Sequence, residues 1–144
     1  LILRVAVRVL DRLAATRLVA RPGALDAAEW PEGALVLRLA ADEALVIADV
    51  PSSAIADPHA IVERETGFSG VWLDAQAARD VLARECDWEL PEAMRQWGNG
   101  SVADRPAFAQ GMVAGLPVKL WFEHDRVLFV VASPFAADLM ERLR

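Results

Sequence analysis

The side chains able to do chemistry near neutral pH are few: two histidines, one cysteine and no tyrosine in 144 residues. His124 lies within Glu123-His124-Asp125, which reads as the exposed tip of a hairpin. His59 follows Asp57-Pro58 at a strand entry. Neither has the clustered partners that a metal site or a general base needs. Ser69 sits in Gly67-Phe68-Ser69-Gly70. That stretch lacks the G-x-S-x-G spacing of a nucleophile elbow, and it lacks the spacing and the lysine of a phosphate loop. A glycine bend in a strand is the reading it supports. Cys86 falls on the apolar stripe of a helix, where a thiol is buried and inert. The paired acids Asp42-Glu43 and Glu63/Glu65 read as solvated faces, although neighbouring carboxylates can shift each other's pKa. Trp88 and Trp97 flank an irregular segment. Two readings stand for them: a partner surface, in which tryptophan is enriched, or cover for the local core. No catalytic, cofactor-binding or metal-binding residue is expected, and an independent enzyme activity would need a base that the sequence does not supply.

Composition narrows the class. The length fits a single domain spanning 1–144. Hydrophobic residues make up 55% and the mean hydropathy is +0.26, enough for a sizeable core and an apolar patch left over for a partner. No apolar run reaches the roughly 18–20 uncharged residues of a membrane span, so no membrane association is expected. The start, Leu1 to Arg8, is interrupted by arginine and lacks a small-residue cleavage site, so no secretory signal is read. The chain opens on leucine, which leads us to expect a processed or preceding piece. A single cysteine excludes an intrachain disulfide framework and fits a reducing, cytoplasmic compartment.

The net charge of −6 is unevenly spread. Residues 1–21 carry Arg4, Arg8, Arg12, Arg17 and Arg21 against Asp11, a net of +4, and the remainder carries −10. An acidic body repels phosphate, so nucleic acid is not an expected partner. The basic segment 1–21 reads as an arm that docks on the acidic body or on a partner subunit through Arg4, Arg8 and Arg12. The sharper alternative, a mitochondrial-type presequence, lacks the usual serines.

Periodicity places the elements. Leu3, Val7, Leu10 and Ala14 suggest a helix over 3–14, with a strand as the alternative for so β-branched a stretch. A strand over 16–20 is stopped by Pro22-Gly23. Residues 22–33 read as a loop with one helical turn at Leu25–Trp30. A hairpin joins 35–39 to 44–48 through Asp42-Glu43. After an irregular Pro51–Pro58, residues 59–74 read as one strand bent at Gly67 and Gly70. Asp74 should N-cap a helix over 75–86 whose stripe is Ala78, Val81, Leu82 and Cys86, with Asp80 and Arg84 paired outside. Residues 92–106 read as a loop. A second hairpin, 118–122 with 127–131, turns at His124-Asp125. Ser133-Pro134 then opens a last helix as N-cap and N1, with Phe135, Ala136, Leu139, Met140 and Leu143 as its apolar face.

The two hairpins align: Leu37 with Leu120, Leu39 with Phe122, Asp42 with Asp125, Leu45 with Leu128, Ile47 with Val130 and Pro51 with Pro134. The expectation is an antiparallel α+β protein with two hairpins, helices on one face and two pseudo-equivalent halves.

From His59 the order of residues becomes familiar. His59-Ala60-Ile61-Val62-Glu63-Arg64-Glu65-Thr66-Gly67-Phe68-Ser69-Gly70-Val71-Trp72-Leu73 runs into Ala77-Ala78-Arg79-Asp80-Val81-Leu82-Ala83-Arg84-Glu85-Cys86. With Pro117 to Trp121, Asp125 to Val131, Ser133 to Leu139 and the upstream Leu37 to Glu43, this resembles the glycine-cleavage T-protein superfamily of folate-binding domains. Within it, the stretch is most similar to the gamma subunit of heterotetrameric sarcosine oxidase. The resemblance covers about residues 35–143. It implies a ferredoxin-like fold and an accessory, non-catalytic subunit of a flavin-dependent amine oxidase, bound to larger subunits that carry the flavin and folate. A stand-alone folate-type binding module is the alternative. The lysine-glycine-cysteine motif of the iron–sulfur-maintenance relatives and the folate-binding acid of the T-protein have no match, so no functional residue is carried over.

Overall fold

Alternating and near-continuous apolar runs, each broken by a short polar turn, give this chain mostly antiparallel strands with a few helices: an α+β protein. The computed structural model describes residues 11–90 and 107–144. In chain order it contains β1 (Asp11–Arg12), β2 (Ala15–Val19), α1 (Pro22–Asp26), β3 (Leu35–Ala40), β4 (Glu43–Ile47), β5 (Ile61–Glu65), β6 (Phe68–Asp74), α2 (Ala75–Glu85), β7 (Ala107–Val113), β8 (Leu116–Phe122), β9 (Arg126–Ala132) and α3 (Ala136–Arg142). Short 3₁₀ turns at Ser52–Ala54 and Ser133–Phe135 follow β4 and β9. The chain forms two compact units, with 13–67 a continuous piece inserted in the sequence of the other.

In the 13–67 unit, a four-stranded antiparallel sheet has the order β3-β4-β2-β5. Its core gathers Leu18, Ala24, Leu25, Ala44, Val46, Val50 and Ile55, with Trp30, Val36 and Val62 packed against them. Leu25 belongs to α1, whose Pro22 occupies the first turn, where a missing N–H costs nothing. The helical turn therefore sits at Pro22–Asp26, earlier than the expected Leu25–Trp30. Arg38 ties α1 to the hairpin tip: its Nη1 lies 2.9 Å from Asp26 Oδ1 and its Nη2 donates to Ala41 O at 2.6 Å. Buried Thr16 joins β2 to the chain beyond β4, donating to Ala48 O at 2.8 Å and accepting from Val50 N at 3.0 Å.

The other unit holds a five-stranded sheet of order β1-β6-β9-β8-β7. One face of it, with Val71, Leu73, Val118, Leu120, Phe122, Val127, Phe129 and Val131, forms a core with Ala77, Ala78, Val81 and Leu82 of α2 and with Leu139 and Leu143 at the last helix. Both helices thus feed the same core cluster. β9 is buried throughout Val127–Val131, which explains its unbroken apolar run. α2 starts where expected, because Asp74 Oδ1 accepts from Ala77 N at 2.8 Å.

Several expectations are corrected. Asp11–Arg12, read within a helix over 3–14 with a strand as the alternative, take the strand form and pair with Gly70 and Ser69 of β6; residues 1–10, with Arg4 and Arg8, lie outside the described residues. The single strand over 59–74 is two strands, β5 against β2 and β6 against β9. The break is at Thr66-Gly67, where Glu65 Oε1 accepts from Gly67 N at 2.8 Å; Gly70 stays in the ladder opposite Val130. Asp80 accepts from Gln76 Nε2 at 2.9 Å instead of pairing with Arg84, which lies against Glu85 at 3.2 Å. Ser133 does not cap α3: it begins the 3₁₀ turn, and its hydroxyl bonds that of Ser69 at 2.8 Å. Phe135, assigned to the apolar face, is 38% exposed.

β7 is a strand that periodicity did not reveal. Its hairpin to β8 turns on Ala114 and Gly115, at φ 54° and 77°, as tight hairpin turns of this kind demand. Arg142 Nη1 donates to Ala114 O and anchors the last helix to that turn. On β7, Gly111 makes room for an aromatic ring: an added Cβ would meet Trp88 at 2.6 Å.

Two outcomes follow from these contacts. Thr16→Val keeps the shape but leaves the buried Val50 N–H unpaired, so urea titration should show a loss of about 1–3 kcal/mol. Gly111→Ala should cost about 1–3 kcal/mol through overpacking, and most of that cost should vanish in a Trp88→Ala background, as a double-mutant cycle by the same titration would show.

Candidate functional site

Most of the chemistry-bearing side chains are dispersed. His124 is exposed at the β8–β9 turn, and exposed His59 uses its backbone N–H to reach Asp57 Oδ1 at 2.9 Å. Ser69 is buried against Ser133. Cys86 is half-buried at the C-cap of α2 rather than deep in the stripe. Burial pushes its thiol up and Asp87 adds to the shift, although the contact to Trp88 O, 3.4 Å from Sγ, acts the other way. A raised thiol is a poor nucleophile. Glu43 lies 2.8 Å from Arg17, and Glu63 lies 4.0 Å from it, so one guanidinium spans acids of two flanking strands. Among the described residues, no group of three His, Cys, Asp or Glu side chains comes together as metal ligands would.

The partner-surface candidates are only partly described. Trp88 is half-buried, packs on the core cluster and donates from Nε1 to Met112 O at 2.7 Å. Its edge is thereby engaged within the chain. Arg12 is exposed on β1. Trp97, like Arg4 and Arg8, falls outside the described residues.

A concave feature of the 13–67 unit is a groove of about 510 Å³ lined by Ser52, Ser53, Ile55, Ala56, Asp57, Pro58, Ala60 and Val62. Its walls follow from local sequence. Extended Pro51 leads into the Ser52–Ala54 turn, Asp57-Pro58 makes a second turn, and Ala60 and Val62 enter and line β5. Ile55 and Val62 reach the core below. Asp57 closes one end. Its carboxylate accepts from Arg21 N and His59 N, both at 2.9 Å, while the Arg21 guanidinium donates to Ala56 O. The backbone donors of Arg21 and then of His59 hold the Asp57 carboxyl below the usual aspartate range, against a smaller opposing effect of burial. Hydroxyls over an apolar floor suit a small ligand of mixed polarity. They supply no nucleophile–base pair.

A second cluster escaped the sequence reading. The Arg126 guanidinium stacks 3.7 Å from the Trp72 ring centroid, its Nε donates to Glu123 Oε1 at 2.9 Å, and Trp121 Nε1 donates to Glu123 Oε2 at 3.1 Å. Lys119 lies 4.9 Å above Phe68. Trp72, Trp121 and Arg126 lie on three different strands, and only the register brings them together. The one sequence signal was Trp121 beside a hairpin turn whose flanks, Glu123 and Arg126, carry opposite charges.

No protein-family model matches this chain, and no curated protein matches it either. Among the described residues, no helix is long and apolar enough to cross a membrane.

Because its pKa is lowered on folding, Asp57 contributes stability above the ordinary aspartate pKa of about 4, and this is lost as pH falls through the lower folded value. Asp57→Asn should therefore be less stable than the parent at pH 7. The gap should close as the pH drops below about 4, as thermal unfolding at stepped pH would reveal.

Proposed function

We propose that this chain is a non-catalytic accessory subunit, similar to the gamma subunit of a heterotetrameric flavin-dependent sarcosine oxidase, that binds larger oxidase-type chains. The observation that carries the reading is the course of residues 68–142. From Phe68 on, the stretch behind the resemblance runs as strand β6 straight into α2, and the later stretch runs as the β8–β9 hairpin into α3, these parts lying within one unit and one core. Flavin and folate would belong to the larger partners. A cytoplasmic location and an oligomeric state are part of the same proposal, as is the ferredoxin-like description of the fold.

The reading includes two related halves, and the pairing supports it. Thr16↔Val46, Arg17↔Leu45, Leu18↔Ala44 and Val19↔Glu43 of β2–β4 correspond to Val71↔Phe129, Trp72↔Leu128, Leu73↔Val127 and Asp74↔Arg126 of β6–β9. In each half the residue after the first strand donates to the carbonyl of the hairpin-turn aspartate: Ala20 N to Asp42 O at 3.0 Å, and Ala75 N to Asp125 O at 2.9 Å. Each hairpin is followed by a 3₁₀ turn. The first hairpin differs by a bulge between Arg38 and Ala40.

Affinity capture of the tagged chain from its native cell, read by mass spectrometry, should recover larger flavin-bearing subunits in fixed ratio. Replacing Arg4, Arg8 and Arg12 together by Glu should lower that recovery about tenfold, as expected if the arm contributes to docking. Recovery of the monomer alone overturns the reading.

The groove beside Asp57 favours a second reading, a folate-type small-molecule module. Reduced folate added to the purified chain should then quench tryptophan fluorescence saturably, and Ser53→Arg should abolish the quenching. A flat titration removes this reading and leaves the first untouched.

A further inference from the structure

We draw no further inference here: the strongest candidate, the open groove between the Ser52–Ala54 turn and the edge strand Ile61–Glu65, belongs to the site already described, and nothing in the structure shows what covers it.

Discussion

The β6–β9 ladder is the constraint on which the larger unit depends. It runs through seven antiparallel pairs, from Phe68↔Ala132 to Asp74↔Arg126, between segments far apart in sequence. Both strands have neighbours on their other edges, β1 and β8, so the ladder is interior. A one-residue slip would turn Val71, Leu73, Val127, Phe129 and Val131 away from the helices. Each end of the ladder also starts a helical segment. At Asp74 the side chain caps α2, and at Ala132 the chain bends into the 3₁₀ turn that precedes α3. The Ser69–Ser133 hydroxyl contact pins that second end. The helices therefore owe their position to the strand register more than to their own propensity.

Where the ladder stops, single residues settle local geometry. Ala114 accepts a left-handed conformation that disfavours a Cβ, and it does so where its carbonyl is held by Arg142. Gly111 gives up a side chain so that Trp88 can lie across β7. The indole then satisfies Met112 O, a carbonyl near the edge of the sheet. These contacts link the end of α2, the edge strand and the last helix through one hairpin. Cys86 participates by pairing with Val113, so its role is backbone geometry before thiol chemistry.

What the sequence disclosed depended on how local each cause was. Asp74 as a cap, the α2 stripe at Ala78, Val81 and Leu82, and the two polar hairpin turns are all determined within a few residues, and they were legible. The failures have distant causes. Ser133 has the identity of an N-cap, but its partner is Ser69 on another strand. Asp11 and Arg12 lie in a stretch whose apolar spacing favours a helix over the strand alternative, yet β6 offers them a ladder. β7 was hidden because Ala107, Ala109 and Gly111 are small, and because Ala114-Gly115 lacks the Asn-Gly or Asp-Gly signature of such turns. The groove was illegible for a similar reason. Ser52, Asp57 and Val62 become neighbours only after the Asp57-Pro58 turn brings the chain back along β5, and one of the two backbone donors that hold Asp57 comes from Arg21, on the far side of the hairpin in sequence. The Trp72–Arg126–Glu123–Trp121 network likewise needs the register of three strands.

Comparing the two sheets gives those differences a physical pattern. Thr16 and Val71, matched in the proposed correspondence, are both buried, but the first is polar. The threonine can sit there because the chain beyond β4 returns Ala48 O and Val50 N to its hydroxyl. At the position of Val71 the surroundings are Phe129 and the α2 stripe, and a hydroxyl there would have no such return. The helix after the first strand differs in the same sense. α1 spans Pro22–Asp26 and buries Ala24 and Leu25, whereas α2 spans Ala75–Glu85 and buries Ala77, Ala78, Val81 and Leu82. The 13–67 unit relies less on helix-on-sheet burial and more on a polar clasp at Thr16 and the Arg38 guanidinium at its hairpin tip. The two antiparallel sheets are thus stabilised in two ways: apolar packing where a long helix covers the sheet, and hydrogen-bonded loops where it does not. The groove beside Asp57 lies in the unit that relies on loops, where the loop 51–60, rather than a helix, borders β5.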